Sequence, residues 1–428
     1  MQKKEVFRVI SRVSFLIFAL LLITAGSLPS WIVGIFHRSN GAFREDVRLI
    51  PSWLAGLLPQ LSPLNLFSTP FSAHDLGGKA FAWGLVWSFL SLAVLLIAVW
   101  KGRFFCRWIC PAGSLHSAVS RFSLKKHPFR LRISAYLFWL IFFSSLAGFP
   151  LFMFLDPLCQ FSRMGIFFED ALVIAALLPC LILPVMLLFS IFQPELWCAF
   201  ICPLGYLFSL IHKKKSLPFA EKINRDRREI IAGMAIGLPG ALLLANFRKV
   251  AGERAEKTYP VLPPGAAEPG RFSAACIRCY ACINSCPTKI LTVKFPYSSD
   301  LTRWFQPELD ADKGVCAEFC NKCTEVCPTG AILPLTLEEK KYCQIGVAHV
   351  IKEACLAWAD GEHCMVCAEY CPYVAIDTDN DKKGIPRPVV KPELCRGCGF
   401  CQNSCPAVKK GKAIIVRGIP KQTNLKIK

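Results

Sequence analysis

Several motifs that carry enzyme chemistry are absent from this chain of 428 residues. It has no glycine-rich phosphate loop and no flavin fingerprint, which argues against nucleotide or flavin chemistry. It also lacks a His-Glu-x-x-His zinc motif and a Cys-x-x-Cys-His haem site, so neither zinc hydrolysis nor c-type haem is expected. Acidic residues are scarce, with 30 Asp and Glu against 50 Lys and Arg. Because half of these cations flank apolar runs and the rest lie in a cysteine-rich region, we expect no nucleic-acid partner.

The apolar residues are concentrated in the first 247 positions, where five runs are long enough to cross a bilayer about 30 Å thick. These runs are approximately Val13–Phe36, Ala80–Trp100, Ile133–Leu155, Ala171–Phe192 and Ile230–Phe247. Lys and Arg are frequent at the N-terminus and after the second and fourth runs, which assigns those segments to the cytoplasm. The sequence therefore predicts an α-helical membrane domain of four to five transmembrane helices in the cell inner membrane. Membrane lipid would be one partner, and the second half of the chain would lie in the periplasm.

Two segments after the second and fourth runs share the pattern aromatic-Cys-x-aromatic-Ile-Cys-Pro-x-Gly. The first contains Cys106 and Cys110, and the second contains Cys198 and Cys202. Since positions i and i+4 share a helix face, each pair is expected to present two sulfurs in one direction. Four thiolates match the ligand count of one [4Fe–4S] cluster. Two redox dithiols, a zinc site and cysteines that merely pack are the alternatives.

Four further cysteine runs fill the second half, and a proline follows the last cysteine of each. The candidate metal ligands are Cys276, Cys279, Cys282 and Cys286 in the first run, Cys316, Cys320, Cys323 and Cys327 in the second, Cys364, Cys367 and Cys371 with the displaced Cys355 in the third, and Cys395, Cys398, Cys401 and Cys405 in the fourth. This spacing is typical of [4Fe–4S] ferredoxins, and four clusters leave Cys343 unassigned. If Cys355 is not a ligand, the third run would hold a three-iron cluster or use Cys343.

The runs are expected to work in pairs, because the fourth cysteine of a run ligates the other cluster in two-cluster ferredoxins. In one arrangement the first run pairs with the fourth and the second run pairs with the third. In the other, the first run pairs with the second and the third run pairs with the fourth. Strand-length segments follow the runs, at Ile290–Val293, Ala331–Leu335, Val374–Ile376 and Ala413–Val416. A helix is expected at Ile345–Leu356. These features predict an α+β ferredoxin-like domain after the helical one.

Residues 1–215, with their two Cys-x₃-Cys-Pro motifs, resemble the NapH-type membrane subunit of quinol dehydrogenases. Residues 225–415 resemble the NapG/MauM-type ferredoxins, both in the cysteine spacing and in Pro263-Pro264-Gly265-Ala266. The segment Asp226-Arg227-Arg228-Glu229-Ile230-Ile231 is similar to the twin-arginine signal of that family but departs from it at several positions. The expected domains are 1–215, a segment 216–250 with the twin arginines and a fifth helix, a linker 251–270, and a four-cluster ferredoxin domain 271–428.

The resemblance implies an electron-transfer component of a quinol dehydrogenase. Electrons would pass from the quinol pool through four clusters in the C-terminal domain, with a fifth in the membrane domain, to a redox partner such as a periplasmic reductase or cytochrome. The alternative is an accessory protein that senses redox state or reduces a metal during maturation of another enzyme. The pattern identifies no catalytic residue and no quinone site. Asp156 and Arg163 are functional candidates, because they are charged residues in an otherwise apolar stretch. A structural pair and solvation in a loop are the alternatives for each.

Overall fold

The structure, a computed structural model, describes residues 2–24, 56–67, 79–124, 133–147, 151–165, 180–193, 197–212, 219–254, 259–266, 268–293, 303–380, 384–407 and 411–424. Parts of the first and fourth apolar runs, at 25–36 and 171–179, lie outside these ranges. The α-helices of the first half are α1 (Gln2–Thr24), α2 (Leu57–Gln60), α3 (Lys79–Lys101), α4 (Phe104–Trp108), α5 (Pro111–Val119), α6 (Ile133–Leu146), α7 (Pro157–Arg163), α8 (Ile182–Phe192), α9 (Pro203–Ile211) and α10 (Phe219–Arg254). Shorter 3-10 turns lie at Pro63–Phe67, Ser120–Phe122 and Leu151–Phe154, and a π-helical turn lies at Trp197–Ile201.

The membrane architecture expected from the apolar runs is not found. Within the described ranges, no helix has both the length and the apolar content that a bilayer crossing requires. A span needs about 20 apolar residues, whereas α6 and α8, on the third and fourth runs, have 14 and 11 residues. The predicted domain of four to five transmembrane helices is therefore wrong, and so is the multi-pass inner-membrane location with a periplasmic second half.

The helices of the first half pack around a core rich in aromatic side chains. Helix α10 lies along α6, where Gly233 and Gly237 come so close to Trp139 that a side chain on either glycine would collide with it. Phe105 and Phe208 meet edge to face in the same core. This core continues without a break into the second half, because it also includes residues of the first cysteine run. The two halves are thus joined by buried apolar contact.

The second half is built from short elements. Its α-helices are α11 (Pro269–Ala275), α12 (Ala281–Asn284), α13 (Lys322–Glu325), α14 (Leu337–Lys341), α15 (Val366–Glu369) and α16 (Phe400–Asn403). A 3-10 turn at Lys352–Ala354 and a π-helical turn at Leu356–Asp360 lie between the second and third cysteine runs. The strands are β1 (Leu291–Val293), β2 (Pro307–Leu309), β3 (Cys343–Val350), β4 (Ile376–Asn380), β5 (Pro386–Val390) and β6 (Ile414–Asn424).

Within the described ranges of the second half, the strands form three antiparallel pairs, which give it a repeated plan. Strands β1 and β2 pair between the first and second cysteine runs, with Leu291 opposite Leu309. Strands β4 and β5 pair in the same way between the third and fourth runs, with Ile376 opposite Val390. The third pair, β3 with β6, brings together the segment that separates the two units and the segment that follows the last run. The second half therefore contains two similar units of two runs each.

Most of the expected strands are confirmed, and one expected helix is not. The segments at 290–293, 374–376 and 413–416 overlap β1, β4 and β6. Ala331–Leu335 forms no strand. The helix expected at Ile345–Leu356 is instead the end of strand β3, up to Val350, followed by a 3-10 turn. The partner of β3 is β6, more than sixty positions later, so the sequence around β3 alone does not reveal the pairing that fixes it as a strand.

Candidate iron–sulfur sites

Each Cys-Pro dipeptide of the first half begins a helix. Cys110 is the N-cap of α5 and Cys202 is the N-cap of α9, and each is followed by a proline at the first helical position. Proline lacks an N–H and disfavours a helical residue before it, which explains why the preceding helical turn ends there. The two cysteines of a motif therefore lie on either side of a helix break, and the expected shared helix face is wrong.

The glycine of each motif permits this break to be tight. A side chain at Gly113 would place Cβ 2.8 Å from the carbonyl oxygen of Cys106, and one at Gly205 would place it 3.0 Å from that of Cys198. The amide of Gly113 donates to the sulfur of Cys110 over 3.4 Å. The two motifs thus form the same local structure, as their common sequence pattern predicts.

The break brings sulfurs of the two motifs together. Burial and the neighbouring sulfurs of Cys110 and Cys202 raise the pKa of Cys106. Burial raises the pKa of Cys110 to about 12, with a further contribution from Cys202. Cys198 lies one turn before Cys202, in the π-helical turn, and is half-buried. Cys106, Cys110, Cys198 and Cys202 are called the N-terminal set below.

In the second half, the first and second runs exchange their last cysteines. The pKa of Cys279 is raised by burial to about 12, with contributions from the sulfurs of Cys327 and Cys276. The pKa of Cys282 is raised by burial and by the same sulfurs together with Cys279. Set A therefore consists of three sulfurs from the first run and one from the second, namely Cys276, Cys279, Cys282 and Cys327.

The complementary exchange forms set B. The pKa of Cys323 is raised by burial and then by the sulfurs of Cys316, Cys286 and Cys320. Cys286 is the last cysteine of the first run, so set B consists of Cys286, Cys316, Cys320 and Cys323. The side chain of Lys340 is buried beside this set and donates to the carbonyl oxygens of Ala317 and Glu318.

The third and fourth runs repeat this exchange. Burial raises the pKa of Cys367 to about 12, with contributions from Cys355, Cys364 and Cys405. Burial raises the pKa of Cys401, and the contributing sulfurs include Cys398, Cys395 and Cys371. Set C is Cys355, Cys364, Cys367 and Cys405, and set D is Cys371, Cys395, Cys398 and Cys401. The displaced Cys355 thus lies beside Cys367 of the third run, and its role as a ligand stays a prediction.

The four sets of the second half follow one another in space in the order A, B, D, C. The sulfur of Cys323 in set B contributes to the raised pKa of Cys282 in set A. The sulfur of Cys316 in set B contributes to the raised pKa of Cys398 in set D. The amide of Cys316 also donates to the carbonyl oxygen of Cys398 over 2.8 Å. The sulfur of Cys367 in set C contributes to the raised pKa of Cys401 in set D. The order in space therefore differs from the order in sequence.

The chemistry of these sets fits iron–sulfur clusters. Backbone amides donate to the sulfurs of Cys327, Cys371 and Cys395 over 3.3 to 3.4 Å, and such bonds favour the thiolate form. All four cysteines of set C line one pocket, and all four cysteines of set D line another. No group of three His, Cys, Asp or Glu side chains in the described ranges is arranged to hold a single metal ion.

Helix α7 connects the N-terminal set with set A. At its start, Asp156 is fully buried and accepts a hydrogen bond from the amide of Leu158 over 3.0 Å. The charge of Asp156 contributes to the raised pKa values of Cys110 and Cys202. Burial raises the pKa of Cys159, in the same helix, with contributions from Asp156 and from Cys279 of set A. At the end of α7, Ser162 donates to the carbonyl oxygen of Cys279 over 3.0 Å. The helix therefore docks against the first cysteine run.

Some buried groups near these sets carry no sequence motif that identifies them. Cys159 and Cys180 belong to no Cys-Pro pattern, and Cys180 donates to the carbonyl oxygen of Arg163 over 3.4 Å. Cys343 donates to the side-chain oxygen of Gln422 over 3.6 Å, and no sulfur of the five sets is among the groups that shift its pKa. His116, just past the first motif, stacks on Trp197. Only the charges of Asp156 and Arg163 in an apolar stretch gave a signal from the sequence.

Comparison with known families agrees with this pairing. A family model described as a 4Fe-4S dicluster domain matches residues 275–331 and 362–408, so each matched segment spans one pair of adjacent runs. A second, described as a 4Fe-4S binding domain, matches residues 83–130 and 173–223, which contain the N-terminal set. No solved structure matches the chain.

Several curated proteins are similar to the C-terminal region. Methylamine utilization ferredoxin-type protein MauM of Methylophilus methylotrophus is 32% identical over 197 residues, which are 44% of this chain and 84% of MauM. Ferredoxin-type protein NapF of Escherichia coli K12 is 30% identical over 43% of this chain and 92% of NapF. Ferredoxin-type protein NapG of the same strain is 32% identical over 34% of this chain and 68% of NapG.

The chain belongs to the family of ferredoxin-type proteins. This ferredoxin-type protein is an iron–sulfur electron-transfer protein with multiple [4Fe–4S] clusters and redox protein partners. The resemblance of its second half to NapG and MauM is confirmed. The NapH-type membrane domain expected for residues 1–215 is not shown, and the match in that region is to a 4Fe-4S binding domain.

Proposed function

We propose that this protein carries single electrons along five [4Fe–4S] clusters, held in spatial order by the N-terminal set and by sets A, B, D and C. A [4Fe–4S] cluster held by four thiolates would take up and release one electron at a time. The twenty cysteines of the five sets are the proposed ligands. Residues 271–428 would form the four-cluster domain and residues 1–215 the domain of the fifth.

The observation that carries this proposal is that sulfurs of successive sets lie close enough to raise one another's pKa. Cys282 with Cys323, Cys316 with Cys398, and Cys367 with Cys401 connect the four sets of the second half. Helix α7 supplies the remaining connection, because Cys159 interacts with Cys279 and with Asp156 beside the N-terminal set. A redox sensor or metal reductase needs one or two clusters, so five connected sets favour electron transfer.

For the donor and the acceptor we propose a quinol and a partner redox protein. Cys106 and Cys198 are half-buried at one end of the series, and Cys364 and Cys367 are half-buried at the other. Set A is buried, whereas set B inside the series also has half-buried sulfurs. We assign entry of electrons to the N-terminal set and exit to set C because they are the two ends of the series.

The test compares full-length protein, reconstituted anaerobically, with two matched cysteine variants. Cys398→Ser removes a ligand of set D, whereas Cys343→Ser changes a cysteine outside all sets. A short-chain quinol is added and the reduced clusters are followed by electron paramagnetic resonance. We expect the quinol to reduce every cluster in the wild type and in Cys343→Ser, and to leave set C oxidised in Cys398→Ser.

Two results would contradict parts of this proposal. Reduction of set C at the wild-type rate in Cys398→Ser would show that set D does not lie between set C and the donor. If dithionite reduced all clusters and the quinol reduced none, the donor would not be a quinol, although the series of clusters would remain.

A further inference from the structure

Set A is distinguished by the charged side chains packed around it. Arg163 and Arg278 are 0% and 1% exposed. Lys340, beside set B, is the other fully buried lysine or arginine in the described ranges. Arg396, which acts on Cys395 of set D, is half-exposed. Set A therefore has two fully buried guanidinium groups beside it.

The guanidinium of Arg163 bridges the two halves of the chain. Its Nε donates to the carbonyl oxygen of Arg278 over 2.7 Å, and its Nη2 donates to that of Met153 over 2.5 Å. Its Nη1 is buried and has no hydrogen-bond partner. These acceptors are neutral. Arg163 also lowers the pKa of the buried Asp156 carboxyl group, so Asp156 supplies part of the counter-charge for the two buried guanidinium groups. The anionic group held by set A would supply the rest.

Arg278 and Tyr280 occupy backbone positions that normally suit glycine. Their φ angles are 48° and 63°, in the left-handed region. At the corresponding positions of the fourth run stand Gly397 and Gly399. A non-glycine residue is strained in this conformation, because its Cβ comes too close to the following carbonyl oxygen. The first run bears this strain while it places a guanidinium and a phenol in the interior, which points to a use for those side chains.

The hydrogen bonds of Arg278 hold its charge close to the set. Its Nη1 donates to the carbonyl oxygens of Cys276 and Ser273, over 2.5 and 3.1 Å. Arg163 stacks on the ring of Tyr280, 5.8 Å from its centroid. Against the effect of burial, both arginines lower the pKa of Cys276, and Arg163 also lowers that of Cys279. Their positive charges thus favour negative charge on the sulfurs.

The positive charges of Arg163 and Arg278 also affect the reduction of a cluster held by set A. A [4Fe–4S] core with four thiolates carries a net charge of about −2, and uptake of one electron without a proton makes it about −3. Buried positive charge stabilises the more negative form, and the effect is strong because the interior screens charge poorly. Two buried guanidiniums therefore raise the reduction potential of the group beside them.

We propose that Arg163 and Arg278 give set A the highest reduction potential of the four sets in the second half. Within the second half, an electron then resides longest at set A before it moves on along the series. This inference rests on the ligand sets of the proposed function. Arg163 and Arg278 act through the cluster environment, and neither is a ligand.

The test is an anaerobic redox titration of the full-length holoprotein, followed by electron paramagnetic resonance. The signal of set A is identified by its loss in Cys279→Ser. In the wild type, this signal should appear at the most positive potential of the four second-half sets. Arg163→Gln and Arg278→Gln should each move it to more negative potential, while the other signals stay in place. Arg163→Lys keeps the charge and should retain most of the wild-type potential. Arg396→Gln, the matched control, should leave the set A signal unchanged.

The outcomes separate this inference from the proposed function. If iron content is complete and the set A signal titrates alike in wild type, Arg163→Gln and Arg278→Gln, the inference is overturned and the ligand sets stand. An equal shift in Arg163→Lys and Arg163→Gln would also overturn it, since a geometric role would explain both. If Cys279→Ser keeps every cluster, the ligand assignment itself fails. Should Arg163→Gln not fold, the Lys variant and Arg278→Gln still decide the question.

Discussion

Cys327 lies beside Cys279, so the last cysteine of the second run completes the set that the first run begins. Cys286 makes the reverse contribution to the second run, and the third and fourth runs exchange Cys371 and Cys405 in the same way. Neither run of a unit contains all four sulfurs of one set. Each unit must therefore fold as a pair of runs, which explains why the matched segments of the dicluster family each cover one pair.

The exchange predicts which cysteine variants share a defect. Cys327→Ser and Cys279→Ser should lose the same cluster signal, because both sulfurs belong to set A. Cys286→Ser should instead lose the signal that disappears in Cys316→Ser, because those sulfurs belong to set B. The measurement is electron paramagnetic resonance of the reduced full-length variants. Loss of one common signal in Cys286→Ser and Cys279→Ser would refute the exchange.

Iron content provides a second prediction. Five sets of four thiolates should bind about 20 iron atoms per full-length chain. Replacement of Cys355 by Ser should reduce this by about four, since Cys355 completes set C, or should leave a three-iron cluster that shows a distinct spectrum. Cys343→Ser should retain the full content, because Cys343 contacts Gln422 away from the sets. A normal iron content in Cys355→Ser together with a reduced content in Cys343→Ser would reverse their roles.

The N-terminal set should behave as a unit. Because sulfurs of both motifs raise the pKa of Cys106 in concert with burial, the two motifs are expected to share one cluster. Serine at Cys106, Cys110, Cys198 or Cys202 should therefore abolish the same spectroscopic signal, and the four signals of the second half should persist. Different losses in Cys110→Ser and Cys202→Ser would indicate two separate dithiols.

A fourth prediction concerns stability and pH. Burial lowers the pKa of His116 from its ordinary value of 6.5 to about 4. Between these two values the unfolded chain binds a proton that the folded chain does not, so stability falls as pH decreases through that window. The slope should approach about 1.4 kcal/mol per pH unit.

The measurement is anaerobic denaturant unfolding at pH 7 and pH 5. His116→Gln should show a smaller loss of stability between the two pH values than the wild type. His363→Gln, which changes an exposed histidine, is the control and should behave as the wild type does. An unchanged pH dependence in His116→Gln would mean that other groups cause it.

The spacing anticipated which sulfurs of one run lie together, because those cysteines are close in the chain, whereas their role as ligands stays a prediction. The spacing of Cys276, Cys279 and Cys282 gives three sulfurs of set A directly. It did not decide which run supplies the fourth sulfur, since that depends on how the β1–β2 and β4–β5 pairs arrange the two runs of each unit.

The sequence was less informative about the first half and about how it meets the second. Hydropathy predicted long membrane spans, whereas helices such as α6 and α8 are shorter than the apolar runs that contain them. The i, i+4 spacing of Cys106 and Cys110 predicted one helix face, but Pro111 starts a new helix. The role of Arg163 depends on carbonyl oxygens of residues more than a hundred positions later, and no local pattern shows this.

The central claim is that the sets form one series in which set C is terminal and set D is its neighbour. The most direct measurement is electron paramagnetic resonance of the fully reduced protein, in which neighbouring clusters broaden each other's signals through spin coupling. We predict that Cys398→Ser, which removes set D, leaves the signal of set C sharp and uncoupled, while sets A and B remain coupled. Persistent coupling of set C in this variant, or loss of coupling between sets A and B, would contradict the series.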